Sequence, residues 1–82
     1  MPVDLILERG NKRFVVECKA GKSPVLEKGF YLVKEDLNPT ASWIIAPVDE
    51  SYYLETDIRV GNVNDFLTWF KKEYTINWFI LV

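Results

Sequence analysis

In the stretch "VDLILERGNKRFVVECK", apolar residues recur at every second position on either side of Gly10-Asn11. That period belongs to β-strands, and Gly-Asn suits a two-residue hairpin turn. With Arg9 opposite Lys12, paired residue numbers sum to 21. One face then holds Val3–Cys18, Leu5–Val16 and Leu7–Phe14, six apolar residues. A slip of one residue would scramble that set, so the pattern fixes the register. The other face holds Asp4–Glu17, Ile6–Val15 and Glu8–Arg13, with Lys19 two residues beyond Glu17.

The next pattern is helical. Leu26, Phe30, Val33 and Leu37 share one face of a helix. Ser23 suits the N-cap and Pro24 the first turn, so a helix is predicted over residues 23–37. "NPT" stops it. "SWIIAP" is a continuous apolar run, as in a strand covered on both faces, and a strand is predicted over 41–47. Strand, helix, strand in that order implies a right-handed parallel crossover. Residues 52–60 read as one more short, irregular strand. A second helix is predicted over 62–74, with Asn62 as cap, Asp65 in its first turn, and Val63, Phe66, Leu67, Phe70 and Tyr74 along one side. Residues 75–82, "TINWFILV", form an apolar tail.

These elements make a small α/β domain over residues 1–82. It is a mixed sheet, a hairpin plus a parallel crossover strand, with two helices. The chain has 82 residues, 49% apolar and 27% charged, which is a globular composition. The net charge of −2 and a pI near 5.0 give no support to a strongly basic nucleic-acid binder. There is no histidine, which removes hydrolases with a histidine base and most zinc sites. Cys18 is the only cysteine, so no internal disulfide forms, and a cytoplasmic location is expected. On the Val3 face it reads as a buried, inert thiol. No signal peptide is visible and no apolar run is long enough to span a bilayer, so no membrane partner is expected.

The predicted register sets Asp4 and Glu17 directly opposite each other. At about 5 Å and an effective dielectric of about 20, their repulsion is on the order of 3 kcal/mol. A divalent cation would offset it, since two carboxylates with waters and phosphate oxygens suit Mg²⁺ or Mn²⁺. So would Lys19, or a proton on one carboxylate, or solvation of the whole face.

Asp4, a twelve-residue gap, and then Glu17-Cys18-Lys19 resembles the D…ExK motif of the PD-(D/E)xK nucleases, the restriction-endonuclease-like superfamily. The motif residues of that superfamily lie on adjacent strands of a hairpin. A longer stretch, "VDLILERGNKRFVVECKAGKSP" followed by a helix, "SWIIAPVDESYYL" and "VNDFLTWF", resembles one particular domain. This is the nuclease-like domain at the C-terminus of predicted bacterial and archaeal AAA+ ATPases. The resemblance implies a reduced restriction-endonuclease-like core and metal-dependent cleavage of DNA phosphodiesters. It also implies Asp4 and Glu17 as ligands of Mg²⁺ or Mn²⁺, and Lys19 as the residue that orients water and stabilises phosphate charge. The fold of the family usually opens with a helix and a strand ahead of the Asp strand. Here Met1 stands directly before it, and Pro2 occupies a place where the ATPase-linked relatives tend to carry an acid.

A second reading is a catalytically inactive accessory domain, a stand-alone relic of an ATPase C-terminal domain. An AAA+ ATPase is then the partner that family context suggests. Lys22 and Lys28 read as solvent-facing lysines, with phosphate contact as the alternative. Trp43 reads as core, Trp69 as core or stacking surface, and Glu50, Tyr52 and Tyr53 as loop residues. The apolar tail, with Ile76, Trp78, Phe79, Ile80, Leu81 and Val82, needs cover. It either adds a strand to its own sheet or pairs with a second copy, and a homodimer through the tail is expected.

Overall fold

A computed structural model describes residues 3–73 and 79–81. The hairpin is β1 (Leu5–Arg9) and β2 (Lys12–Cys18). A helix, α1 (Lys28–Leu37), leads to β3 (Ala41–Ile45). A second hairpin follows, β4 (Tyr52–Glu55) and β5 (Ile58–Gly61), then α2 (Val63–Glu73) and β6 (Phe79–Leu81). All six strands form one sheet in the order β4-β5-β3-β2-β1-β6. β2, β3 and β5 run parallel, and the outer pairs are antiparallel.

The register of the first hairpin is the one the apolar pattern dictates, from Leu5 opposite Val16 to Arg9 opposite Lys12. Gly10 has a φ of 58°, and Asn11 is not left-handed. Positive φ at the first central position only is a type II′ turn, which glycine adopts at little cost. Glu8 and Arg13, cross-strand partners, form an ion pair.

One helix covers each face of the sheet. On one face Phe30, Val33 and Leu37 of α1, with Leu26 just before it, pack on Ile6, Val15, Ile44, Ile58 and Val60 of the sheet. On the other face Phe66, Trp69 and Phe70 of α2 pack on Leu7, Phe14, Val16 and Trp43. Trp43 is core as predicted, and Trp69 packs on it with ring centroids 5.3 Å apart. Gly61 lies so close to Trp43 that a Cβ would stand 2.8 Å from the indole and 2.6 Å from Ser51 Oγ. Only glycine permits that approach.

Several boundaries differ from expectation. α1 starts at Lys28, not Ser23, with Glu27 at the N-cap. Pro24 is buried and Leu26 packs on the core, but from irregular chain ahead of the helix. The apolar spacing therefore names the right face while overstating the helix. α1 ends at Asn38, whose left-handed backbone (φ 45°) lets its N–H bond to Lys34 O at 2.9 Å. β3 stops at Ile45, before Pro47. Residues 52–61 form two strands, not one, with a bulge between Tyr53 and Glu55. In α2 the Asn62 cap holds, since Asp65 N–H donates to Asn62 Oδ1 at 2.8 Å. Val63 and Leu67, however, are 53% and 44% exposed. The bulky rings of Phe66, Trp69 and Phe70 take the inner face instead.

Part of the tail is a strand of its own sheet. Phe79–Leu81 pairs antiparallel with β1, Leu7 opposite Ile80, on the side away from β2. Tyr74, Ile76, Trp78 and Val82 lie outside the described residues. Among the described residues no helix is long and apolar enough to cross a membrane.

Candidate functional site

Glu17 stands near the end of β2, on the face that α1 covers, because Val15 two residues earlier belongs to that core. Its side chain is only 14% exposed. Lys19 follows just past the strand. Its N–H donates to Ile45 O at 2.8 Å, which carries the β2–β3 pairing past Cys18. Its Nζ lies 3.9 Å from Glu17 Oε2, a long ion pair.

Asp4 is brought to the same end of the hairpin, but not in the expected way. The ladder stops at Leu5. Asp4 N–H donates to Val16 O at 3.0 Å, a shift of one residue from the register. Its carboxylate Oδ2 accepts the Cys18 N–H at 2.7 Å. Asp4 therefore acts as an acceptor at the frayed end of the strand rather than standing squarely opposite Glu17. The bend also turns Val3 inward to the α1 face, beside Ile6. The expected Val3–Cys18 apolar pair does not form, and Cys18 is exposed rather than buried.

The bond at Asp4 offers a simple check. Asn keeps a carbonyl acceptor for Cys18 N–H, so Asp4→Asn should leave stability within about 0.5 kcal/mol. Asp4→Ala removes the acceptor and should cost about 1 kcal/mol, as is typical of one hydrogen bond. Urea denaturation of the two variants measures the difference.

The electrostatics centre on Glu17. Burial pushes its carboxyl above the usual range, and Lys19 pulls it back. The charges of Asp4 and Glu27 push it up further. Glu27 is thus a third acid near the site, placed there by the N-terminus of α1. Starting the helix at Ser23 hid it, since only a start at residue 28 sets Glu27 at the N-cap. The Cys18 thiol is also pushed up, by the burial it has and then by Asp4 and Glu17. It is held as a thiol, which makes it a poor nucleophile.

Lys22 and Lys28 are exposed. Tyr52 and Tyr53 are on β4, not in a loop. Glu50 is in a loop and lines a cavity on the other side of the molecule. Among the described residues, no three His, Cys, Asp or Glu side chains are grouped to hold a metal ion by themselves. Asp4 and Glu17 provide two carboxylates, and that donor set fits Mg²⁺ or Mn²⁺. These cations bind through one or two carboxylates and keep waters and substrate phosphates as their other ligands. Comparison with family models, curated proteins and solved structures returned no match.

Proposed function

We propose that this chain is a reduced restriction-endonuclease-like domain and a metal-dependent DNA phosphodiesterase, with Asp4, Glu17 and Lys19 as its site. One observation carries the reading. The bend at Asp4 and the end of β2 gather those three residues where the crossover to α1 begins.

Asp4 and Glu17 would hold the cation. When bound, it supplies Lewis acidity toward a phosphate oxygen and lowers the pKa of a bound water. Lys19 is a cation on a flexible stem beside Glu17. It would position the attacking water and neutralise charge growing on the phosphate. The net charge of −2 disfavours tight DNA binding by this chain alone. A second copy or a partner, such as an AAA+ ATPase, would supply the missing positive surface. The second reading, an inactive accessory domain, draws on a different feature. Asp4 already spends one oxygen on Cys18, and Lys19 partly neutralises Glu17.

A Mn²⁺ titration followed by NMR separates the two readings. The nuclease reading expects broadening at Asp4, Glu17 and Cys18 before any other carboxylate. It also expects Lys19→Ala to keep that broadening and lose cleavage across a panel of DNA structures. Broadening spread evenly over the surface acids would leave the accessory reading.

A further inference from the structure

The opposite face of the sheet carries an arginine with an unusual setting. Arg59 is the second residue of β5 and points to the α2 side, where it lies between two rings. Its guanidinium carbon is 5.1 Å from the centre of the buried Trp43 ring and 5.3 Å from that of Tyr53. Tyr53 is 63% exposed. The Nε of Arg59 is buried and has no hydrogen-bond partner. Two adjoining cavities meet at Arg59 and Trp69, of about 560 Å³ and 240 Å³. The larger falls in the size range of small-molecule sites.

The carboxylates make this setting informative. Asp49, Glu50 and Asp65 line the larger cavity with Arg59, yet among the described residues none forms an ion pair with it. Asp65 is committed elsewhere, as the acceptor of Ser51 Oγ–H at 2.6 Å. A half-buried guanidinium normally takes a carboxylate partner. This one lies instead within cation–π distance of the rings of its two cross-strand neighbours, Trp43 on β3 and Tyr53 on β4, and its Nε–H has no acceptor. A guanidinium fork suits the paired oxygens of a carboxylate or a phosphate. Lys72, on α2, adds a second positive charge to the same cavity, and Thr68 adds a hydroxyl.

We propose that the cavity between α2 and the β4–β5 hairpin is an oxyanion site for a small phosphorylated or carboxylated molecule, read by Arg59 with Lys72. The three carboxylates in the wall repel a polyanion, so the ligand carries few charges. The site is separate from Asp4, Glu17 and Lys19, because Arg59 and Glu17 lie on opposite faces of the sheet. It therefore stands or falls independently of the nuclease reading.

The test is a titration of the ¹⁵N-labelled protein, following the Arg59 Nε–Hε resonance in the parent and the backbone amides of Glu50, Ser51 and Thr68 in the parent and in both variants. The probes are inorganic phosphate, glycerol phosphate and succinate, with sodium chloride as the control for ionic strength. A saturable downfield shift with phosphates alone assigns a phosphate ligand, and with succinate alone a carboxylate ligand. Lys72→Gln changes an exposed side chain and should weaken binding several-fold. Arg59→Lys keeps the charge but not the fork. It should weaken binding more than about tenfold, the scale of one charge-assisted hydrogen bond. No saturable shift with any probe, or one matched by chloride, overturns the proposal. So does binding unchanged in both variants. A saturable response to a DNA oligonucleotide but not to the small anions would overturn the small-molecule assignment.

Discussion

Glu17→Gln is expected to eliminate the selective Mn²⁺ broadening and any DNA cleavage, and at the same time to stabilise the protein at neutral pH. The two effects share one cause. Glu17 is a largely covered carboxylate whose proton affinity is raised by burial and by the charges of Asp4 and Glu27, against the pull of Lys19. Its charged form is therefore less favourable in the folded chain than in the unfolded one. The native state binds the proton more readily, so stability falls as pH rises through the interval between the unfolded and folded pKa values. Above the folded pKa the full penalty applies, and below the ordinary carboxylate range it vanishes. Gln carries no charge at any pH. In metal-free buffer the variant should thus gain stability over the parent at pH 7, and the gain should fade on acidification to about pH 4. With saturating Mn²⁺ the order should invert, because a cation held by Asp4 and Glu17 stabilises only the parent. Thermal denaturation at both pH values, with and without Mn²⁺, reads all of this. A variant less stable than the parent at pH 7 without metal would mean that the Lys19 pairing outweighs burial. An unchanged order in Mn²⁺ would remove the cation site.

How far the sequence reached depends on what kind of signal each feature carried. The first hairpin was legible because two independent constraints agreed, an alternating apolar pattern and a Gly-Asn turn. The register they define held from Leu5 to Arg9. It failed at Asp4, where a side-chain oxygen competes with backbone pairing for the Cys18 N–H. Short carboxylate side chains do this readily, and periodicity carries no trace of it. For that reason Val3 packs on the α1 face rather than opposite Cys18, and Cys18 is exposed. Asp4, Glu17 and Lys19 lie at one end of the hairpin, Asp4 by a bend that no strand pattern encodes.

The second hairpin was hidden for a different reason. "YYLETDIRV" lacks the Gly or Asn-Gly that marks a tight turn, and its first strand is exposed throughout, so neither alternation nor a breaker divides it. Arg59 went unread with it. A single arginine in a strand has no motif, and its stacking on Trp43 and Tyr53 comes from long-range pairing of β5 with β3 and β4. Glu27 was masked by Ser23 and Pro24, a strong local helix start that the packed, non-helical segment to Leu26 overrides.

Trp43→Ala is expected to be the most damaging single substitution in the chain. Trp43 is 1% exposed and sits at the centre of the α2 layer. Its ring meets Phe66 and Trp69, both at 5.3 Å, supports Arg59, and lies over the Gly61 backbone. Truncating a buried Trp costs about 3–5 kcal/mol through lost transfer energy and the cavity left behind. Each ring pair adds about 0.5–1.5 kcal/mol beyond area. A domain of this length has a total stability of about 4–12 kcal/mol, so the variant should be largely unfolded or lose its cooperative transition. Trp43→Phe, which keeps a ring, should cost about half as much and still fold. Trp69→Ala, on the half-buried rim of the cluster, should fall between them. The test is urea denaturation with near-ultraviolet circular dichroism. A loss below about 1.5 kcal/mol for Trp43→Ala would mean that α2 slides into the space. That slide is resisted from below, because Gly61 lies beneath the ring and β3 is fixed between two parallel neighbours. Movement of α2 would also break the Ser51–Asp65 and Asn62–Val48 bonds that tie its start to the loop between β3 and β4. The helix is thus fastened at its start, so it cannot follow a vanished indole without giving up its own anchor.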